Sequence, residues 1–124
     1  MSHSWLLYLD ELIESGEKIQ RFVADRTFAS FSSDEIVFDA VLFNLQRIGV
    51  GIRKLPEEAR AEIPELGNSL PAHIRDLIAH HYFGLDPEIV WQLVQIHVPK
   101  FLAQACALRH EVESGERSLV DEWE

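Results

Sequence analysis

The sequence predicts an all-α bundle, and three observations predict it. Apolar residues recur at three- and four-residue steps through most of the chain. No segment alternates with period two between turn dipeptides at hairpin spacing. The punctuation falls where helices begin and end, at Pro56, Pro71, Gly84, Asp86 and Pro87. The expected architecture is an up-and-down bundle of four long helices plus one short helix.

The first helix is expected from Ser4 to about Ala24, where Trp5, Leu6, Leu9, Leu12, Ile13, Ile19 and Phe22 form an apolar stripe. Ser32 and Glu35 have the spacing of a capping box, which would open a second helix over 34–54. Its apolar residues, from Ile36 to Ile52, cover most of the circumference, so this helix should be buried on more than one side. In a domain this small the second burial points to a subunit interface, and Gly49 and Gly51 would admit another backbone. Pro56 suits a first helical position, with Glu57 and Glu58 in the first turn of a short helix ending near Ile63-Pro64. The stretch 66–71 has the composition of a loop. A helix follows over 71–82, closed by Gly84. Asp86 caps the last helix, which runs to about Val112 with a kink at Pro99. The expected division is a helical domain over 1–113 and an acidic tail over 114–124.

Length and charge narrow the function. A chain of 124 residues makes one domain. Eleven basic against twenty-one acidic residues give a formal charge of −10, which disfavours general coating of DNA or RNA. RNA chemistry would need a local positive site. The single cysteine, Cys106, allows no internal disulfide and no cysteine metal cluster, and its apolar neighbours place it in the core. The first residues carry no signal-peptide pattern and no apolar run approaches the length of a membrane span, so a soluble cytoplasmic protein is expected.

The chemistry is concentrated between His73 and Trp91. Arg75 is permanently cationic and can grip a phosphate at two points. His80 titrates near neutrality and can act as acid or base. Tyr82 offers a hydroxyl. On one ideal helix, Arg75 and Tyr82 lie about 20° apart and His80 about 140° from Arg75. A site that uses Arg75 and His80 together therefore needs the reach of the arginine, a loosened last turn, or two subunits. The histidines lack an i, i+4 pair with a carboxylate partner, so no metal is expected. Taken alone, Arg75 could be a surface arginine, His80 a structural histidine and Tyr82 a packing residue.

Arg75, His80 and Tyr82 reproduce an R-x4-H-x-Y signature, and the surrounding text extends it: Tyr8-Leu9, Asp39-Ala40-Val41, Asn44-Leu45, 54–58, Pro64-Glu65 and 82–91. In these residues the chain resembles the HepT-like proteins of the HEPN superfamily, over about Trp5 to Leu102. It departs from their usual text at 67–71, at His73, where a small residue is usual, and at Gly49-Val50, where Gly-Glu is common.

The resemblance implies a homodimeric HEPN bundle acting as a metal- and cofactor-independent endoribonuclease toxin. It implies a minimal nucleotidyltransferase as antitoxin partner, which transfers AMP to the signature tyrosine. Carried over, Arg75 and His80 are the catalytic residues and Tyr82 is the AMP acceptor, with Asp76, Asn44 and His81 in support. RNA, tRNA or mRNA, is the expected substrate; DNA and membranes are not expected partners. A second reading stays open, in which the protein is a non-catalytic subunit that presents a substrate to a nucleotidyltransferase.

Overall fold

A computed structural model describes residues 4–67, 70–79 and 86–115, and all of the elements in them are helical. α1 spans Ser4–Val23, α2 Phe28–Ser32, α3 Glu35–Ile52, α4 Glu57–Ala61, α5 Pro64–Gly67 and α6 Leu70–Ala79. α7, Pro87–Gln92, passes through a π-helical turn, Leu93–His97, into α8, Val98–Glu113. The all-α class holds. The described residues contain three short helices, α2, α4 and α5, where the sequence predicts one.

Each element has a local cause. α1 keeps Leu9, Leu12 and Ile19 fully buried on one stripe. It ends at Asp25, a non-glycine residue at φ 63°, while Arg26 N–H returns to the Val23 carbonyl at 3.0 Å. α2 is built by a reciprocal cap between Thr27 and Ser30 and fixed by the fully buried Phe31. The cap of α3 is Asp34, whose carboxylate accepts from Val37 N–H at 3.2 Å; the predicted Ser32–Glu35 box is not used, because Ser32 closes α2. Arg26 joins the two ends, donating to the Phe22 carbonyl at 3.1 Å and pairing with Asp34 at 3.2 Å. Pro56 is the N-cap of α4 rather than its first residue. Part of the predicted 66–71 loop is helical: α5 makes one turn and α6 begins at Leu70.

Asp86 caps α7 as expected, accepting from Glu88 N–H at 2.9 Å. Just before Pro99, where the sequence predicts a kink, the helix makes a π turn. A proline inside an α-helix lacks its N–H and its ring meets the carbonyl four residues back, here Gln95. The widened turn just before α8 places Pro99 in the first turn of the new helix, where neither defect matters.

α1 packs on α3 and α8, α3 on α6, α5 on α6 and α8, and α2 on α3 and α7. One apolar core joins Leu9, Ile48, Ile74, Phe101 and Leu108. A fully buried side chain of this size contributes about 1.5–3 kcal/mol. The glycines serve this packing inside the chain. A Cβ on Gly51 would lie 2.7 Å from Leu12 Cδ2, and one on Gly49 would lie 2.8 Å from Ile74 Cγ2. Side chains of α1 and α6 occupy the space that the sequence assigns to another backbone. Trp91 packs partly buried against Phe31, with ring centroids 5.0 Å apart. Cys106 is exposed, contrary to expectation, because α8 turns the row Phe101, Ala105, Leu108 inward and Cys106 falls beside it.

Candidate functional site

α6 is seated by two residues four apart. Leu70 and Ile74 are fully buried, and Ile74 lies against Gly49 of α3. The next residue, Arg75, turns about 100° away from that row and is exposed. It lines a groove of about 530 Å³ between the C-terminal end of α3, α4 and α6. Arg53, at the C-cap of α3, and Arg60, in the last turn of α4, line the same groove, with Gly49, Val50 and Glu57. Three arginines and one glutamate thus line a single groove on a chain whose formal charge is −10. Among its lining residues, cationic side chains outnumber acidic ones by three to one.

Three arginines elsewhere serve the fold, while Arg21, exposed near the end of α1, is in no ion pair with a described residue. Arg26 pairs with Asp34, Arg109 with Asp10 at 2.7 Å, and Arg47 with Glu14 at 3.7 Å. Among the described residues, Arg53, Arg60 and Arg75 are in no ion pair within 4.0 Å.

A second polar cluster anchors the approach to α6. Glu65 on α5 is buried, and its Oε2 lies 2.7 Å from His97 Nδ1 on the π turn. Its backbone N–H donates to Gln104 Oε1 at 2.8 Å. His73, two residues before Arg75, stacks on His97 with centroids 5.2 Å apart. His73 is therefore packed against this cluster.

Of the other predicted residues, Asn44 is buried on α3. Its amide donates to the Ala40 carbonyl at 2.9 Å and its oxygen accepts from Arg47 at 3.5 Å. It does not line the groove. Asp76 is within α6, but its side chain lies outside what the structure describes, as do His80, His81 and Tyr82 entirely. Among the described residues, no group of three or more His, Cys, Asp or Glu side chains could hold a metal ion, and no helix is long and apolar enough to cross a membrane. Arg53 and Arg60 were not legible as site residues, since only the turn from α3 into α4 brings them beside Arg75.

α3 shows a further feature beside the groove. Ile36, Phe43 and Val50, spaced by seven, are 82%, 61% and 57% exposed. The opposite side of the helix is buried through Val41, Leu45, Ile48 and Ile52. Residues seven apart drift by only ~20° around an α-helix, so these three form one apolar seam. Val50 belongs to both the seam and the groove.

The family model of the HepT-like ribonucleases matches residues 12–108. A candidate RNase of Methanocaldococcus jannaschii is 29% identical over 113 residues, 91% of this chain and 93% of that one. A protein named probable ribonuclease HepT, from Thermococcus cleftensis, is 29% identical over 109 residues, 88% of this chain and 99% of that one. A second M. jannaschii protein, named for a gamma-glutamylcyclotransferase and a candidate RNase, is 28% identical over 112 residues; the match covers 90% of this chain and 50% of that longer one. No solved structure matches the chain.

Proposed function

The chain belongs to the HepT-like ribonuclease family, and from that premise we propose that it is the toxin of a toxin–antitoxin pair, an endoribonuclease whose antitoxin is a minimal nucleotidyltransferase. The observation that carries this reading is the placing of Arg75: exposed, in no ion pair with a described residue, and in a groove where cationic side chains outnumber acidic ones. It lies five residues before His80 and seven before Tyr82 within the family match.

In the proposed reaction the RNA 2′-hydroxyl attacks the adjacent phosphorus and the 5′-oxygen leaves. His80 takes the hydroxyl proton or supplies one to the leaving oxygen, a role worth typically ~10²–10⁴ in rate. Arg75 holds the negative charge that builds on the phosphoryl oxygens. Asp76, Asn44 and His81 are proposed to support this machinery; for Asn44 the support runs through the order of α3. Neither a metal nor a cofactor takes part. Tyr82 is the proposed switch: its hydroxyl attacks the α-phosphorus of ATP on the partner enzyme, pyrophosphate leaves, and the attached AMP blocks the cleft.

The proposed active form is a homodimer closed over the α3 seam. Burial of Ile36, Phe43 and Val50 would supply apolar area, and Val50 would bring the two grooves next to each other. A partner subunit over the groove excludes water, which strengthens the pull of Arg75 on a phosphate.

Intact mass of the protein expressed with and without a minimal nucleotidyltransferase as the proposed partner tests the switch, and RNA cleavage by both samples in EDTA tests the chemistry. The expected result is a mass gain in AMP-sized steps, lost in Tyr82→Phe, with cleavage by the unmodified protein alone. Cleavage should fall at least 100-fold in Arg75→Ala, on the scale of a lost transition-state donor. No cleavage by the unmodified protein sinks the nuclease reading and favours a subunit that presents substrate to the nucleotidyltransferase.

A further inference from the structure

The groove holds more positive charge than a single scissile phosphate requires. Arg75 suffices to face one phosphoryl group, yet Arg53 and Arg60 line the same groove from two other elements. Neither belongs to the R-x4-H-x-Y signature. The fold does not use them for pairing, whereas it binds Arg26, Arg47 and Arg109 to carboxylates at 3.2, 3.7 and 2.7 Å. Glu57 lines the groove as well but makes no ion pair with either arginine within 4.0 Å. Long cationic side chains held in one concavity of an otherwise acidic protein match a ligand with several negative charges in a row.

From this arrangement we infer that Arg53 and Arg60 form a substrate-binding track that grips RNA phosphates flanking the one at Arg75. The inference rests on the ribonuclease reading and adds binding residues to it. A guanidinium group offers a planar fork of donors that fits two oxygens of a phosphodiester, and it stays charged at every relevant pH. The three arginines come from three separate elements, the end of α3, the last turn of α4 and the middle of α6, and all line the one groove. Three cations in a groove of about 530 Å³ suit a chain of diesters better than a single small anion. The formal charge of −10 gives the track a second use. Repulsion over the rest of the surface leaves this groove as the favoured place for RNA to land. Glu57, beside the arginines, weakens the track by opposing the phosphates.

Arg53 and Arg60 are predicted to act on binding and not on the chemical step, so their loss should raise KM and leave kcat unchanged. The test uses a fluorescent 2′-O-methyl oligoribonucleotide, which has no free 2′-hydroxyl and stays uncut. Its affinity is measured by anisotropy across a salt series for wild type, Arg53→Gln, Arg60→Gln, the double variant, Glu57→Gln and the off-groove control Arg21→Gln. Cleavage of the matching RNA is measured in parallel, and melting by circular dichroism verifies that each variant folds.

The expected result is a loss of affinity on the order of 10-fold in the double variant near 0.1 M salt. The slope of log affinity against log salt should shrink by about 0.7 for each arginine removed. Glu57→Gln should bind more tightly, a change that a merely structural role would not produce, and Arg21→Gln should match wild type. If wild type binds and cleaves RNA while the double variant keeps its affinity, slope and KM, the track is overturned and the nuclease reading stands. If wild type binds the oligonucleotide through this slope but cuts nothing, the track stands and the nuclease reading fails. If wild type neither binds nor cuts, both fail.

Discussion

Gly49 and Ile74 hold α6 against α3: a Cβ on Gly49 would lie 2.8 Å from Ile74 Cγ2, nearer than side-chain packing permits. The contact is one residue from Arg75, so the missing side chain at Gly49 sets how closely the groove's two walls approach. Alanine at position 49 gains helix propensity worth ~1 kcal/mol and meets an overpacking penalty of roughly 1–3 kcal/mol. Gly49→Ala should therefore lower the thermal midpoint modestly and reduce RNA cleavage more than stability alone explains. Ile74→Leu removes the offending Cγ2, so the double variant Gly49→Ala/Ile74→Leu should be more stable than the sum of its parts predicts. Thermal melts of the four proteins in a double-mutant cycle check this; strict additivity would mean that the two residues do not meet.

The clamp around Glu65 predicts a stability effect remote from the groove. Glu65 is buried with His97 at 2.7 Å and holds Gln104 through its own backbone. Leaving a buried hydrogen-bonding group without its partner costs about 1–3 kcal/mol. Denaturant titration should show a loss of about 2 kcal/mol in Glu65→Ala. Gln104→Leu should lose less, because the carboxylate–imidazole contact remains. An unchanged midpoint in Glu65→Ala would show that the cluster does not hold α5 in place.

The exposed seam on α3 predicts the oligomeric state. Phe43→Glu puts a charge at the middle of Ile36, Phe43 and Val50, where two copies would meet. Sedimentation should show a dimer for wild type at micromolar concentration and a monomer for the variant, with circular dichroism unchanged. RNA cleavage should fall with the dimer. A wild-type monomer that cleaves RNA would contradict a site shared between subunits.

Cys106 is exposed, yet partial burial of its thiol raises its pKa above the ordinary value, with the Glu17 carboxylate as the second cause. A raised pKa leaves less thiolate near neutrality, so alkylation by iodoacetamide should be slower than for free cysteine and reach its half-maximal rate at a higher pH. Glu17→Gln removes one cause and should accelerate the reaction. The stability that accompanies the raised value is fully present below the pKa of the unfolded thiol and is lost as pH rises through the folded value. A rate–pH profile that matches free cysteine would show the thiol to be unperturbed.

The long helices were legible because their apolar spacing is repeated over many turns. α1 and α3 lie within two residues of the spans predicted from Trp5–Phe22 and Ile36–Ile52. Asp86 declared the start of α7 because an acidic cap followed by Pro87 has one strong local reading. α2 escaped because five residues carry too little periodicity, and what fixes them is Phe31 in the core and a Thr27–Ser30 cap that resembles loop composition. Cys106 was misplaced because α8 carries apolar residues on both sides of its buried row, so composition alone did not orient it. At the site, Arg75 was found through a local string of residues. Arg53 and Arg60 belong to the groove only through tertiary packing, which no local spacing encodes.

The π turn at Leu93–His97 means that the long C-terminal helix carries one residue more than an α-helix of the same span would need. It is a stored insertion. Deleting Gln95, which is exposed, would let the turn tighten to α geometry while Trp91 on one side and Phe101 on the other kept their facing. The same deletion would return the Pro99 ring to a position opposite an α-helical carbonyl, so it becomes tolerable only with Pro99→Ala. The proline and the spare residue are thus coupled in this helix: the deletion should cost less in the Pro99→Ala background than in the wild-type chain.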